Sequence, residues 1–116
     1  MIFADTGYFI AQVKPRDALH ERATAWAKAL GEPLGEPLLT TEFILVEVAD
    51  ALSQPRDRSK LYALLAALRG SSQCEIIPAS PALFEAGLQL HAARPDKEWS
   101  LTDCISFVVM QQRDIT

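Results

Sequence analysis

The sequence predicts an α/β fold, a three-layer α/β/α sandwich around a central parallel sheet. Three observations lead there. Short apolar runs at Met1–Ala4, Leu38–Thr40 and Cys74–Pro78 have the length of strands and are too short for helices. Longer stretches between and after them carry apolar residues at helical spacing. Short strands alternating with helices in turn require a parallel sheet covered on both faces. At 116 residues the chain is long enough to bury one core and too short for two domains.

The elements follow in order. Met1 to Ala4 reaches the turn signal Asp5-Thr6-Gly7, after which Tyr8-Phe9-Ile10-Ala11 reads as a short helix. Asp17 can cap a second helix, in which Leu19, Ala23, Trp26, Ala27 and Leu30 recur on one face until Gly31 stops it. A four-residue unit, Gly-Glu-Pro-Leu, then occurs twice and reads as a loop. Leu38-Leu39-Thr40 is the second strand, and Thr41 caps a helix from Glu42 to about Ser53. Gln54-Pro55 breaks the chain before a helix from Arg58 to Leu68. Cys74 to Pro78 is the third strand. Ser80-Pro81, a cap followed by a first-turn proline, starts a helix to about Ala93. After a polar loop, Ser100 or Thr102 caps the last helix, Asp103 to about Gln112.

Composition narrows the classes of function. Eleven Lys+Arg against 15 Asp+Glu give a formal charge of −4, which opposes sequence-blind binding to nucleic acid through a basic face. The two cysteines, Cys74 and Cys104, sit far apart in apolar runs and read as reduced core thiols, which points to the cytoplasm. A basic leader and an apolar run of membrane-spanning length are both absent from the sequence, so no membrane association is expected.

In parallel α/β sheets ligands bind beyond the carboxyl ends of the strands, so acids at that rim carry the functional argument. Asp5 directly follows the first strand, where it can equally cap the next helix. Glu47 interrupts the run Phe43-Ile44-Leu45-Val46-Glu47-Val48-Ala49. At about 100° per residue Ile44, Val48, Leu52 and Leu45 form the buried stripe and Glu47 borders it, while Glu42 and Asp50 face water. A carboxylate there must be solvated, paired or bound to a cation, because burying it bare costs several kcal/mol. Asp103 opens a helix that is apolar almost all round, and Ser100-x-x-Asp103 resembles a capping box. Three carboxylates at one rim repel unless a cation neutralises them, and hard oxygen donors without a His or Cys cluster select Mg²⁺ or Mn²⁺. Such a site suits phosphoryl chemistry, in which the ion activates water and stabilises charge on the phosphate.

The phrases Phe3-Ala-Asp5-Thr6-Gly7, Thr40-Thr41-Glu42-Phe43-Ile44-Leu45-Val46-Glu47-Val48-Ala49-Asp50-Ala51-Leu52 and Ser100-Leu101-Thr102-Asp103-Cys104-Ile105-Ser106-Phe107 resemble the successive acidic motifs of the PIN-domain family. The likeness is to the small ribonuclease toxins of prokaryotic toxin-antitoxin pairs (VapC-like), and it covers nearly the whole chain. It implies one PIN-like domain over 1–116 acting as a Mg²⁺- or Mn²⁺-dependent endoribonuclease. Asp5, Glu47 and Asp103 would be the catalytic metal ligands and Thr6 a supporting hydroxyl. RNA would be the substrate, with an antitoxin protein and a second copy of the chain as partners. The family pattern places a further acid after a later strand. This sequence ends at Asp114-Ile115-Thr116, so it is expected to lack that last strand and tail, and Asp114 comes too early to be the fourth acid. The alternative is a catalytically impaired PIN-fold module that binds a protein.

Other features carry less. Arg56, Arg58, Lys60 and Arg69 read as a solvated helix surface. His20 and His91 have no Ser or Cys partner at a diagnostic spacing, and Asp96 and Glu98 solubilise their loop. Glycine-rich phosphate loops do not occur. An aspartyl-phosphate mechanism at Asp5 would want a second acid at position 7, which is Gly7. The run Leu61 to Leu68, with Tyr62, reads as core or dimer interface.

Overall fold

Each of the three apolar runs forms a strand, and each strand hands the chain to a helix through a side-chain cap. The computed structural model describes residues 1–14 and 36–115. Among these, the order is β1 (Ile2–Phe3), α1 (Thr6–Val13), β2 (Leu38–Thr41), α2 (Glu42–Ala51), α3 (Pro55–Gly70), β3 (Cys74–Ile77), α4 (Pro81–Ala93) and α5 (Leu101–Gln112). The helix expected from Asp17 to Leu30, with His20 and Trp26, lies outside the described residues, as does most of the repeated Gly-Glu-Pro-Leu segment.

The sheet is parallel, with strand order β1-β2-β3. Ile2 pairs with Leu38 and Phe3 with Leu39, while Leu38 through Thr41 pair with Cys74 through Ile77. Alternation along the strands sends successive side chains to opposite faces. Leu38, Cys74 and Ile76 join a cluster with Phe9 of α1, Ile44, Leu45 and Val48 of α2, and Leu61 and Leu68 of α3. Leu39 and Ile77 join a second cluster with Leu83 of α4 and Ile105 and Val109 of α5. Helices therefore cover both faces, and the three-layer sandwich is as the sequence predicts. No helix among the described residues is long and apolar enough to cross a membrane.

Several boundaries differ for physical reasons. Pro55 is not a break but the first residue of α3, where its missing N–H costs nothing and its fixed φ suits the helix. The break between the two helices is Leu52 to Gln54, and Gln54 caps α3 without a side-chain bond. Helix α2 stops at Ala51, and Leu52, fully buried, is its C-cap. Helix α5 starts at Leu101 because Ser100, rather than Thr102, is the cap. It closes in a Schellman motif: Ile115 N–H donates to Met110 C=O (2.8 Å) and Asp114 N–H to Gln111 C=O (3.2 Å). That geometry puts Asp114 at φ 55°, a left-handed position glycine would occupy more easily. Asp114 thus serves to end a helix.

Helices α4 and α5 approach closely. A Cβ built on Gly87 of α4 would overlap Cγ1 of Ile105 on α5 and lie 3.4 Å from the Ile105 backbone N. Glycine is required here by space, not by backbone conformation.

Candidate active site at the carboxyl rim of the sheet

The rim is assembled by polar residues that close each strand. Ala4 N–H donates to Leu39 C=O (2.8 Å), and Thr40 Oγ1, fully buried, donates back to Ala4 C=O (3.0 Å). The backbone leading into Asp5 is therefore fixed to β2 on both its donor and its acceptor. Asp5 follows in extended conformation and caps α1, its Oδ1 accepting from Tyr8 N–H at 3.0 Å. Thr41 does the same for α2, accepting from Ile44 N–H at 3.1 Å.

The first turn of α1 meets the second turn of α2 through one short bond. Thr6 Oγ1 donates to Glu47 Oε1 at 2.6 Å, a contact between residues 41 apart in sequence. The expected stripe is observed, with Ile44, Leu45, Val48 and Leu52 all buried and Glu47 half-buried beside them. Instead of standing bare at the core's edge, the Glu47 carboxylate accepts a charge-assisted hydrogen bond, the stronger class of such bonds. Asp5 and Glu47 are thereby brought to the same rim, with Thr6 between them.

Asp103 is arranged differently. It is exposed at the third position of α5, in a full capping box: Ser100 Oγ accepts from Asp103 N–H (3.0 Å) and Asp103 Oδ2 accepts from Ser100 N–H (3.1 Å). The bonds found for it satisfy its own helix. Among the described residues no group of three or more His, Cys, Asp or Glu side chains stands close enough to hold a metal ion. Two of the three sequence-predicted acids are linked through Thr6, and the third is turned onto its cap. The donor set itself, carboxylates and a hydroxyl, is the hard oxygen chemistry that Mg²⁺ and Mn²⁺ take.

Residues set aside on sequence grounds mostly stay aside. His91 is exposed at the end of α4, and Arg56, Lys60 and Arg69 are exposed on α3. Arg58 Nε donates to Ser53 C=O, closing the bend before that helix. Asp96 takes a bidentate fork from Arg94 at 3.0 Å per bond, which holds its carboxyl below the usual range. Burial pushes the Cys104 thiol up, and the adjacent Asp103 charge adds to this; Cys74 is raised by burial too, so both stay protonated thiols. Glu42 lies on the wet side of α2, as expected, and finds a partner there. Its Oε1 accepts from Ala79 N–H at 2.7 Å and ties the start of α2 to the connection after β3. Helix periodicity could not show this, since the partner lies on another element.

The PIN domain family model matches residues 2–116. The chain belongs to the PIN domain family. Two solved structures show the same fold. Mycobacterium tuberculosis VapC20, a sarcin-ricin loop cleaving toxin, superposes with a TM-score of 0.84 at 24% identity, over 99% of this chain and 85% of that one. FitAcB from Neisseria gonorrhoeae gives a TM-score of 0.61 at 19% identity, over 99% of this chain and 84% of that one. No match was found among curated proteins. In this PIN domain, Asp5 with Thr6, Glu47 and Asp103 occupy the starts or early turns of helices α1, α2 and α5.

Proposed function

We propose that this PIN domain is a metal-dependent endoribonuclease, the toxin of a toxin-antitoxin pair acting in the cytoplasm. The observation that carries the reading is the Thr6–Glu47 bond, which draws Glu47 to the end of β1 where Asp5 emerges. Asp5, Glu47 and Asp103 would hold Mg²⁺ or Mn²⁺. Bound there, the ion would supply an activated water and stabilise negative charge on the RNA phosphate. Thr6 orients the Glu47 carboxylate by occupying one of its oxygens. The anchoring of Ala4 by Leu39 and Thr40 keeps Asp5 from drifting off the rim. The toxin activity named for VapC20 supports this reading, and an antitoxin and a second copy of the chain are the partners it implies.

The test is cleavage of single-stranded and structured RNA with Mg²⁺, Mn²⁺ or EDTA, comparing the unaltered chain with Asp5→Asn and Glu47→Gln. Cleavage with either ion, lost in EDTA and in both variants, is expected. Equal activity in every arm would sink the proposal.

A second reading, a PIN-fold module that binds protein without catalysis, is favoured by one observation: the three acids do not form a single group. Mn²⁺ titration separates the two. A ligand that binds only the folded state raises the thermal midpoint, so a rise at millimolar Mn²⁺ supports the nuclease and no shift supports the module.

A further inference from the structure

The loop between α4 and α5 builds an aromatic and cationic cluster next to Asp103 that the metal-binding reading does not use. Trp99 packs edge-on against Phe107, with ring centroids 5.0 Å apart and planes at 72°. Phe107 is 38% exposed although it sits on the helix whose other face is core. Arg94 lies 5.4 Å and Lys97 5.8 Å from the Trp99 ring centre. Arg94 is held in place by the Asp96 fork, whereas Lys97 has no carboxylate partner among the described residues. Asp103 and Phe107, four residues apart, share one face of α5, and Trp99 folds back onto that face.

We infer that this cluster is a stacking subsite for an unpaired base of single-stranded RNA. The inference rests on the ribonuclease reading above, since it names how that substrate is held beside Asp103. An apolar ring pair on the surface is costly to leave in water, and a nucleobase offers the flat face that covers it. Lys97 is the group a base would displace from the Trp99 ring, and its freed ammonium would then meet the adjoining phosphate. Segment 94–99 has as many acids as bases, so attraction by net charge is weak and stacking must supply most of the binding. That accords with a chain whose total charge is −4. Recognition by stacking also selects unpaired nucleotides, because paired bases have no free face.

The experiment uses the full chain with Trp26→Phe, leaving Trp99 as the sole tryptophan, and an unstructured 12-nucleotide RNA in EDTA so that no cleavage is needed. RNA is expected to quench Trp99 emission saturably, and a fully paired duplex is not. With affinity read by fluorescence anisotropy of the same RNA carrying a terminal dye, because these variants have no tryptophan to quench, Trp99→Leu should raise Kd about 5- to 150-fold, the equivalent of roughly 1–3 kcal/mol of base–aromatic stacking, while Trp99→Phe keeps most of the affinity. Lys97→Ala, at an exposed position, should flatten the slope of log Kd against log salt by about 0.7. Binding of the RNA without quenching, with Kd and slope unchanged in the variants, overturns the subsite and leaves the ribonuclease reading intact. Failure of the unaltered chain both to bind and to cleave any RNA overturns both.

Discussion

The contact between Gly87 and Ile105 gives the sharpest mechanical prediction. In an open helix position Gly→Ala gains about 1 kcal/mol from backbone entropy. Here the new methyl group would overlap Ile105, which is 1% exposed and locked among Leu39, Leu83 and Val109. Overpacking of this kind costs roughly 1–3 kcal/mol, because the obstruction is the root of a buried side chain rather than a flexible tip. Gly87→Ala should therefore destabilise by about 1 kcal/mol net. Ile105→Ala alone should cost about 2–5 kcal/mol by opening a cavity. In that background the sign reverses: Gly87→Ala fills space and should stabilise by about 1 kcal/mol. Urea unfolding followed by far-ultraviolet circular dichroism, with m unchanged, measures all four proteins. A coupling of about 1–3 kcal/mol is expected. Additive effects, or a stabilising Gly87→Ala in the original background, would refute the claim that space rather than conformation demands this glycine. The helix so positioned is the one that carries Asp103, so a shift in α5 should also lower RNA cleavage.

Other outcomes follow from single contacts. Ser106 Oγ is buried with no hydrogen-bond partner among the described residues, so Ser106→Ala should raise stability by about 0.5–2 kcal/mol in the same urea assay. Thr40→Val should cost about 1–3 kcal/mol by leaving the Ala4 carbonyl unpaired, and should weaken RNA cleavage more than stability because Asp5 loses its anchor. Asp114→Gly should gain about 0.5 kcal/mol, since glycine adopts φ 55° without a Cβ penalty. The Arg113 fork holds the Glu75 carboxyl below its ordinary value of 4.5. The folded-state value is the lower one, so the pair's stabilisation is present above about pH 4.5 and is lost as pH falls through the folded value; Glu75→Gln should flatten that part of the thermal midpoint against pH.

Much of the fold was legible because it rests on local signals. Ser80-Pro81 and Ser100-x-x-Asp103 announced α4 and α5, and the Ile44, Leu45, Val48, Leu52 stripe announced the buried face of α2. These depend on neighbours within a turn or two of helix. Pro55 was misread because a proline marks both the end of one helix and the first position of the next, and only the neighbouring backbone tells which. The bond of Glu42 was not legible because its partner, Ala79 N–H, lies 37 residues away.

For the site the division is similar. By itself the sequence determined the strand-helix alternation, the acids Asp5, Glu47 and Asp103 at helix starts or borders, and the motif order shared with PIN domains. Periodicity and capping chemistry are written in short segments, so no tertiary information was needed. Tertiary structure alone decided that Thr6 bonds Glu47, that Asp103 does not join the other two acids in one group and that Trp99, Phe107, Arg94 and Lys97 form one surface. Those are choices among rotamers and between elements far apart in sequence. They are settled by packing and by which hydrogen-bond partners the folded chain brings within reach.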